Sequence, residues 1–200
     1  MTKVEEFFRK NKPVFKLGVM NEESLPNSNI KEVAFIGRSN VGKSSLINSI
    51  TNSNIAKVSK TPGRTRQLNF FQILNKVMIV DMPGYGYAKI QDYDVKTLNE
   101  LIMSYLLKRE NLKRLFILVD SRHMLKDSDK ELMKILDKYG IIYQIILTKI
   151  DELKKGELEN KIESLKLAFK EHSSLFEEIL TASSKNNSGI KKIQEVIYDL

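Results

Sequence analysis

From residue 33 onward, short apolar runs alternate with amphipathic stretches. Runs at 33–36, 115–119, 141–147 and 175–180 read as buried strands, and 68–80 reads as two strands joined by a tight turn at Asn75-Lys76. Between them, Val95, Leu98, Ile102 and Tyr105 fall on one helical stripe, as do Leu158, Ile162, Leu165 and Phe169, and again Ile190, Ile193 and Ile197. Ser128 followed by Glu131 has the spacing of a capping box, with Gly140 ending that helix. The alternation predicts an α/β fold, a mostly parallel six-stranded sheet flanked by helices. Residues 1–30 are less regular, with Pro13, Pro26 and the polar run Asn27-Ser28-Asn29, and predict an N-terminal extension packed on or trailing from a single domain over 31–200.

Chemistry enters at the ends of the predicted strands. Directly behind Val33-Ala34-Phe35-Ile36 stands Gly37-Arg38-Ser39-Asn40-Val41-Gly42-Lys43-Ser44, a GxxxxGKS loop that runs into the helix-like stretch Ser45 to Ile50. Between a strand and a helix, successive backbone N–H groups form a concave nest, and the helix N-terminus adds about half a positive charge aimed at a phosphate. Lys43 then reaches the outer phosphates and the Ser44 hydroxyl ligates Mg²⁺. Taken alone, this loop specifies a nucleoside triphosphate.

Two further motifs specify the nucleotide. Asp81-Met82-Pro83-Gly84 closes the run Val77 to Val80, and Thr148-Lys149-Ile150-Asp151 closes Ile141 to Leu147, so both lie at strand C-termini, where open α/β sheets bind ligands. A carboxylate at Asp151 accepts one hydrogen bond from the guanine ring N–H and one from its exocyclic amine, a pair that adenine does not offer. Each charge-assisted bond is worth about 1.5–3 kcal/mol, a tenfold to hundredfold preference. The Lys149 stem covers one face of the base, and Thr181-Ala182-Ser183 presents a backbone N–H to the guanine carbonyl.

Bulk properties narrow the setting. The 200 residues, 42% hydrophobic and 29% charged, have the make-up of a soluble globular domain. No apolar run approaches a membrane span, Glu5 and Glu6 stand where a secretory leader is basic, and there is no cysteine; a cytoplasmic protein with no membrane partner is expected. A net charge of +8 points to an acidic partner such as nucleic acid. Basic residues gather as Arg9-Lys10-Lys12-Lys16, Lys57-Lys60-Arg64-Arg66, Lys108-Arg109-Lys113-Arg114 and Lys185-Lys191-Lys192, and for any one of them a solvated surface is the plainer reading. The second is the exception, since it falls between the phosphate loop and the DxxG motif at Asp81, where the nucleotide exposes or hides its charge.

In this order the motifs resemble the small P-loop GTPases with a Ras-like G domain, in the group that contains TrmE, Era, EngA, EngB and the septins. The agreement is closest with the EngB family (also called YihA or YsxC). It rests on Gly37 to Asn48, Lys60-Thr61-Pro62-Gly63-Arg64-Thr65 with Asn69-Phe70-Phe71, Asp81 to Lys89, Asp120 with Arg122-His123, and Thr148 to Asp151. The resemblance implies a GTPase that matures the large (50S) ribosomal subunit and contacts rRNA, with a family-level link to cell division and septation. It places Thr65 in the Mg²⁺ shell beside Ser44, with Asp81 holding the metal through water and the Gly84 N–H on the γ-phosphate. Lys43, Thr65 and Gly84 are then the catalytic set. The nucleotide-binding set adds Arg38, Ser39, Val41 and Ser45, the segment Gly63, Arg64, Arg66 and Gln67, then Met82, Pro83 and Ile150.

One departure from Ras-like enzymes is Tyr85, which follows the DxxG where a glutamine orients the attacking water, so slow intrinsic turnover is expected. Asn40 has two readings, a loop hydrogen bond or, as in related GTPases, a ligand for K⁺. His123 reads as a surface or packing residue. Tyr85 and Tyr87, in a glycine-rich loop beside Arg64, Arg66 and Lys89, read as exposed candidates for an RNA surface, while Phe70-Phe71 read as core. A slowly turning over monomeric switch leads; a nucleotide-gated ribosome-binding module with negligible turnover is the alternative. A small-molecule kinase is disfavoured by the TKxD motif.

Overall fold

The computed structural model describes residues 2–57, 67–85, 92–123 and 125–200. Its centre is a seven-stranded sheet of order β1-β3-β4-β2-β5-β6-β7: β1 (Val14–Val19), β2 (Glu32–Gly37), β3 (Leu68–Ile73), β4 (Val77–Asp81), β5 (Leu112–Asp120), β6 (Tyr143–Thr148) and β7 (Leu180–Thr181). From β4 to β7 the strands are parallel, while β3 lies antiparallel to both β1 and β4. Every residue of β2, β4 and β6 is buried. That is why these segments read as continuous apolar runs rather than alternating ones.

Six helices cover the two faces: α1 (Lys3–Lys10), α2 (Lys43–Thr51), α3 (Asp92–Lys108), α4 (Asp127–Lys138), α5 (Glu157–Ala168) and α6 (Ile190–Asp199). Alternation along β2 divides the core. Val33 and Phe35 join Leu46, Ile47 and Ile50 of α2 and Ile193 and Ile197 of α6, whereas Ala34 and Ile36 join Tyr105 of α3, Met133 of α4 and Leu165 of α5. The predicted stripes on α3, α5 and α6 face inward at Ile102, Tyr105, Leu165, Phe169, Ile190, Ile193 and Ile197, all buried; the side chain of Val95 lies outside the described residues.

The sheet has one strand more than the alternation of motifs predicts. The additional strand is β1, in the N-terminal segment, paired with β3 through a register shift between Phe15 and Leu17. Just before it, α1 buries Phe8 against the α2/α6 side of the core. The expected run 175–180 shortens to Leu180–Thr181, with a separate bridge at Tyr143 and Leu175, because Glu177 and Glu178 are exposed. Helix α4 begins one residue before Ser128, and its N-terminus is closed by Asp129, whose Oδ2 accepts the Lys126 N–H at 2.7 Å, in place of the predicted Ser128/Glu131 box. Gly140, at φ +65°, ends it as expected: its N–H bonds the Asp137 carbonyl and that of Ile141 the Leu136 carbonyl.

In the third basic cluster the two arginines turn inward, while Lys108 and Lys113 are exposed. Arg109 places Nε 3.0 Å from both Glu32 oxygens and a terminal nitrogen 2.5 Å from Oε1, and the Tyr105 hydroxyl donates to the same carboxylate at 2.8 Å. Glu32 is fully buried, so this forked pairing pins the end of α3 to the start of β2. Arg114 stacks on the Phe176 ring at 4.0 Å and donates to Gln144 at 2.9 Å. Removing the Glu32 partner by Arg109→Met leaves a buried carboxylate with one neutral donor and lowers unfolding free energy by about 3–5 kcal/mol. Chemical denaturation measures this, and pairing the change with Glu32→Gln restores most of the loss.

Candidate functional site

The chain reverses direction in the sheet at β2. After β2 it runs to β3 and β4 on one side, then α3 crosses it over to β5 and β6 on the other. The crevice beyond the C-terminal end of β2 is therefore the place where an open α/β sheet binds ligands. The loop 37–42 occupies it. Asn40 and Gly42 take φ +62° and +96°, left-handed conformations that turn successive N–H groups inward, and Gly42 leads straight into α2. Arg38, Ser39, Lys43, Ser44 and Ser45 are partly accessible at this mouth, and Asn40 is exposed.

The neighbouring strands deliver carboxylates to the same end. Phe35 of β2 pairs with Asp81 of β4, and Asp81, 4% exposed, accepts a hydrogen bond from the Lys43 ammonium. Beyond the strand, Met82 N–H donates to the Phe35 carbonyl at 3.0 Å, and Arg38 bridges Tyr85 in parallel fashion. The segment Asp81 to Gly84, with Met82 and Pro83 buried, thus lies alongside the phosphate loop. A Cβ on Gly84 would come within 3.1 Å of the Gly37 carbonyl oxygen, so a side chain there would require the phosphate loop to give by a few tenths of an ångström. For a metal, Ser44 on α2 and Asp81 on β4 offer a hydroxyl and a carboxylate, an oxygen set that suits Mg²⁺ and leaves its other positions to water and phosphate. Gly63, Arg64, Thr65 and Arg66, expected here too, lie outside the described residues, as do Tyr87 and Lys89.

On the far side, β6 ends at Thr148, whose hydroxyl donates to the Val41 carbonyl at 2.7 Å. Lys149, at φ +58°, sends its ammonium to the Asn40 carbonyl at 2.7 Å and to Asp120 Oδ2 at 2.9 Å. The TKxD loop and the phosphate loop are thereby bonded directly. Ile150 and Asp151 follow in a single 3₁₀ turn over Ile150–Glu152, and the Ile150 N–H reaches the Ala182 carbonyl at 3.4 Å. Thr181 belongs to β7, the Ala182 N–H donates to Leu147 and the Ser183 N–H to Ser188 at 3.0 Å. A guanine carbonyl that takes the Ser183 donor has to displace Ser188. Gln67, half-buried at the start of β3, donates to Asn69 at 2.8 Å.

Three side chains outside the predicted set take part. Asp120 ends β5 with its carboxylate 12% exposed, and Arg122 and Glu152 flank it. Burial pushes the Asp120 carboxyl up, but hydrogen bonds from Arg122 and Lys149 outweigh it and hold the group well below the usual carboxylate range. Like Asp81, Asp120 closes an apolar run, and that position is the signal that identifies it. Arg122 stands with Asp120 in the motif that carries the family resemblance, whereas Glu152, 30 positions further on, carries no such signal.

Tyr85 departs from its expected exposure. Its hydroxyl donates at 2.7 Å to Asp129 at the head of α4, and the side chain is only partly accessible. Burial, then the Asp129 charge, drives the phenol far above its ordinary value, so it stays protonated and donates. Phe70 and Phe71 are core residues, as expected, and His123 is exposed.

Residues 32–149 match the family model described as "50S ribosome-binding GTPase". A probable GTP-binding protein EngB of Bradyrhizobium diazoefficiens is 44% identical over 181 residues, 89% of this chain and 83% of that protein. One from Caulobacter vibrioides is 40% identical over 187 residues, 93% and 82% of the two chains. Among solved structures, a probable GTP-binding protein EngB superposes with a TM-score of 0.66 at 24% identity, covering 84% of this chain and 97% of that one. Era in complex with MgGDPNP and a segment of 16S ribosomal RNA superposes with a TM-score of 0.67 at 22% identity, covering 86% and 57%. The sequence matches, on a P-loop fold whose motifs meet at the β2 crevice, establish that this chain belongs to the EngB family of GTP-binding proteins.

Proposed function

We propose that the chain binds GTP and GDP with Mg²⁺ through these motifs, hydrolyses GTP slowly, and acts as a monomeric switch in assembly of the large ribosomal subunit, with the family's link to cell division and septation. One observation carries the reading: the Lys149 ammonium joins the Asn40 carbonyl of the phosphate loop to the loop bearing Asp151, so base and phosphate are read by one bonded unit. On binding, Lys43 exchanges the Asp81 carboxylate for phosphate oxygens. Ser44, Thr65 and, through water, Asp81 would hold Mg²⁺, which would supply charge neutralisation on the outer phosphates. Thr65 and Gly84 sense the terminal phosphoryl, and its loss relaxes both of their segments. Asn40 retains its two roles, a loop bond or a K⁺ ligand that substitutes for an arginine finger.

The alternative, a nucleotide-gated ribosome-binding module with negligible turnover, draws on Tyr85, whose hydroxyl is committed to Asp129 rather than aimed at a nucleophilic water. Multiple-turnover phosphate release separates the two. The switch reading expects an unassisted rate at or below about 10⁻⁴ s⁻¹, stimulation by large subunits, and cosedimentation with them under a non-hydrolysable GTP analogue but not under GDP. Equal cosedimentation in both nucleotides overturns it, and absence of stimulation with analogue-dependent binding favours the module.

Two substitutions test the parts. Asp151→Asn moves preference from guanine toward xanthine nucleotides, because an amide donates to the xanthine oxygen that a carboxylate repels; unchanged preference in a competition assay removes Asp151 from the base site. Tyr85→Phe strips a donor from Asp129, which is 2% exposed, and costs about 1–3 kcal/mol of stability in denaturant titration. A tenfold fall in turnover in that variant would instead give the phenol a part in orienting water.

A further inference from the structure

The Asp120, Arg122, Lys149 and Glu152 side chains form a neutral quartet at the edge of the site. Arg122 grips Asp120 with Nε at 2.9 Å from Oδ1 and a terminal nitrogen at 2.7 Å from Oδ2, its own backbone N–H adds a bond to Oδ1 at 3.1 Å, and its other terminal nitrogen lies 2.8 Å from Glu152 Oε2. Asp120 Oδ2 is shared with Lys149, whose ammonium also holds the Asn40 carbonyl. Glu152 is the last residue of the 3₁₀ turn that carries Asp151, and its N–H closes that turn on the Lys149 carbonyl at 3.0 Å. Isolated surface ion pairs contribute little, but a bidentate arginine on a carboxylate that is 12% exposed is a geometric clamp.

We propose that Arg122 is a positioning residue for base selectivity, a strut between the ends of β5 and β6 that fixes the orientation of Asp151 and the Lys149 stem; this rests on the reading that Asp151 pairs with guanine. Arg122 reaches its partners in two directions at once, Asp120 through one edge of the guanidinium and Glu152 through another. Without the guanidinium, Asp120 keeps the backbone N–H of position 122 and Lys149, and the turn bearing Asp151 loses its tie through Glu152. The phosphate loop and Lys43 keep their own contacts, so the loss falls on the base.

The test compares GDP with inosine diphosphate, which lacks the exocyclic amine, by equilibrium titration of the full chain. The ratio of their affinities reads the second Asp151 bond, an interaction worth tenfold to hundredfold. In Arg122→Ala the ratio falls to within about threefold of unity while inosine diphosphate affinity changes less than threefold. Glu152→Ala, at a side chain 44% exposed, produces most of the same collapse, and the double variant is no worse than Arg122→Ala. Arg122→Lys stays low, because one ammonium cannot span both carboxylates. A wild-type ratio preserved in Arg122→Ala, or in Glu152→Ala should the arginine variant not fold, overturns the inference. So does a parallel loss of affinity for both nucleotides, which is the signature of general loosening. A wild-type ratio of one is a separate failure, since it removes the guanine pairing of Asp151 itself.

Discussion

Strand β2 exposes nothing between Glu32 and Gly37, and both its edges are paired, to β4 on one side and β5 on the other. A segment so enclosed can release its polar loop only at its end, and there the sheet's connections diverge. The loop after Gly37 thus falls in the crevice between the ends of β4 and β5, flanked by their terminal carboxylates. Burial of one apolar strand therefore fixes the place of the polar chemistry. Core packing anchors it from below through Leu46, Ile47 and Ile50 on α2, and Gln194 of α6 donates to the Ile50 carbonyl at 2.6 Å.

Charge at the site is arranged in pairs. Strands β4 and β5 each end in an aspartate, and each aspartate holds a lysine, Asp81 with Lys43 and Asp120 with Lys149. Both lysines are mostly covered, at 11% and 24% side-chain exposure, so a partner anion is needed to offset their desolvation. The pairs differ in what surrounds them. Asp81 has Lys43 at the mouth of the phosphate loop and no second cation paired with it among the described residues, which suits exchange for phosphate. Asp120 is also gripped by Arg122, which suits permanence. Under the proposed function, one end of the crevice changes partners and the other stays put.

The remaining features tune this frame. Asn48 closes both backbone groups of Ala56, accepting its N–H at 2.8 Å and donating to its carbonyl at 2.9 Å, which secures the chain where it leaves α2 toward Thr65. After Gly84, Tyr85 ties the chain to the head of α4. Under the proposed switch, a change at Gly84 is thereby linked to a helix on the opposite flank of the sheet from α2. The N-terminal elements extend the sheet at its far edge through β1 and leave Val14 and Phe15 exposed there, away from the crevice.

The order of strands and helices, and the placing of the phosphate loop, Asp81 and Asp151 at strand ends, were legible from the chain, because each depends on neighbours within a few positions: apolar periodicity sets the elements, and polar motifs stand where the runs stop. Local reading failed where a partner is distant in sequence. Strand β1 has little pattern of its own and is made a strand by pairing with β3; Arg109 and Arg114 look like surface charge until Glu32 and Phe176 are folded against them. Tyr85 looked exposed for want of Asp129. The clamp of Arg122 on Asp120 and Glu152 exists only once β5 and β6 lie side by side, since a hydrogen bond of under 3 Å between residues 30 apart is a property of the sheet register rather than of any stretch of sequence.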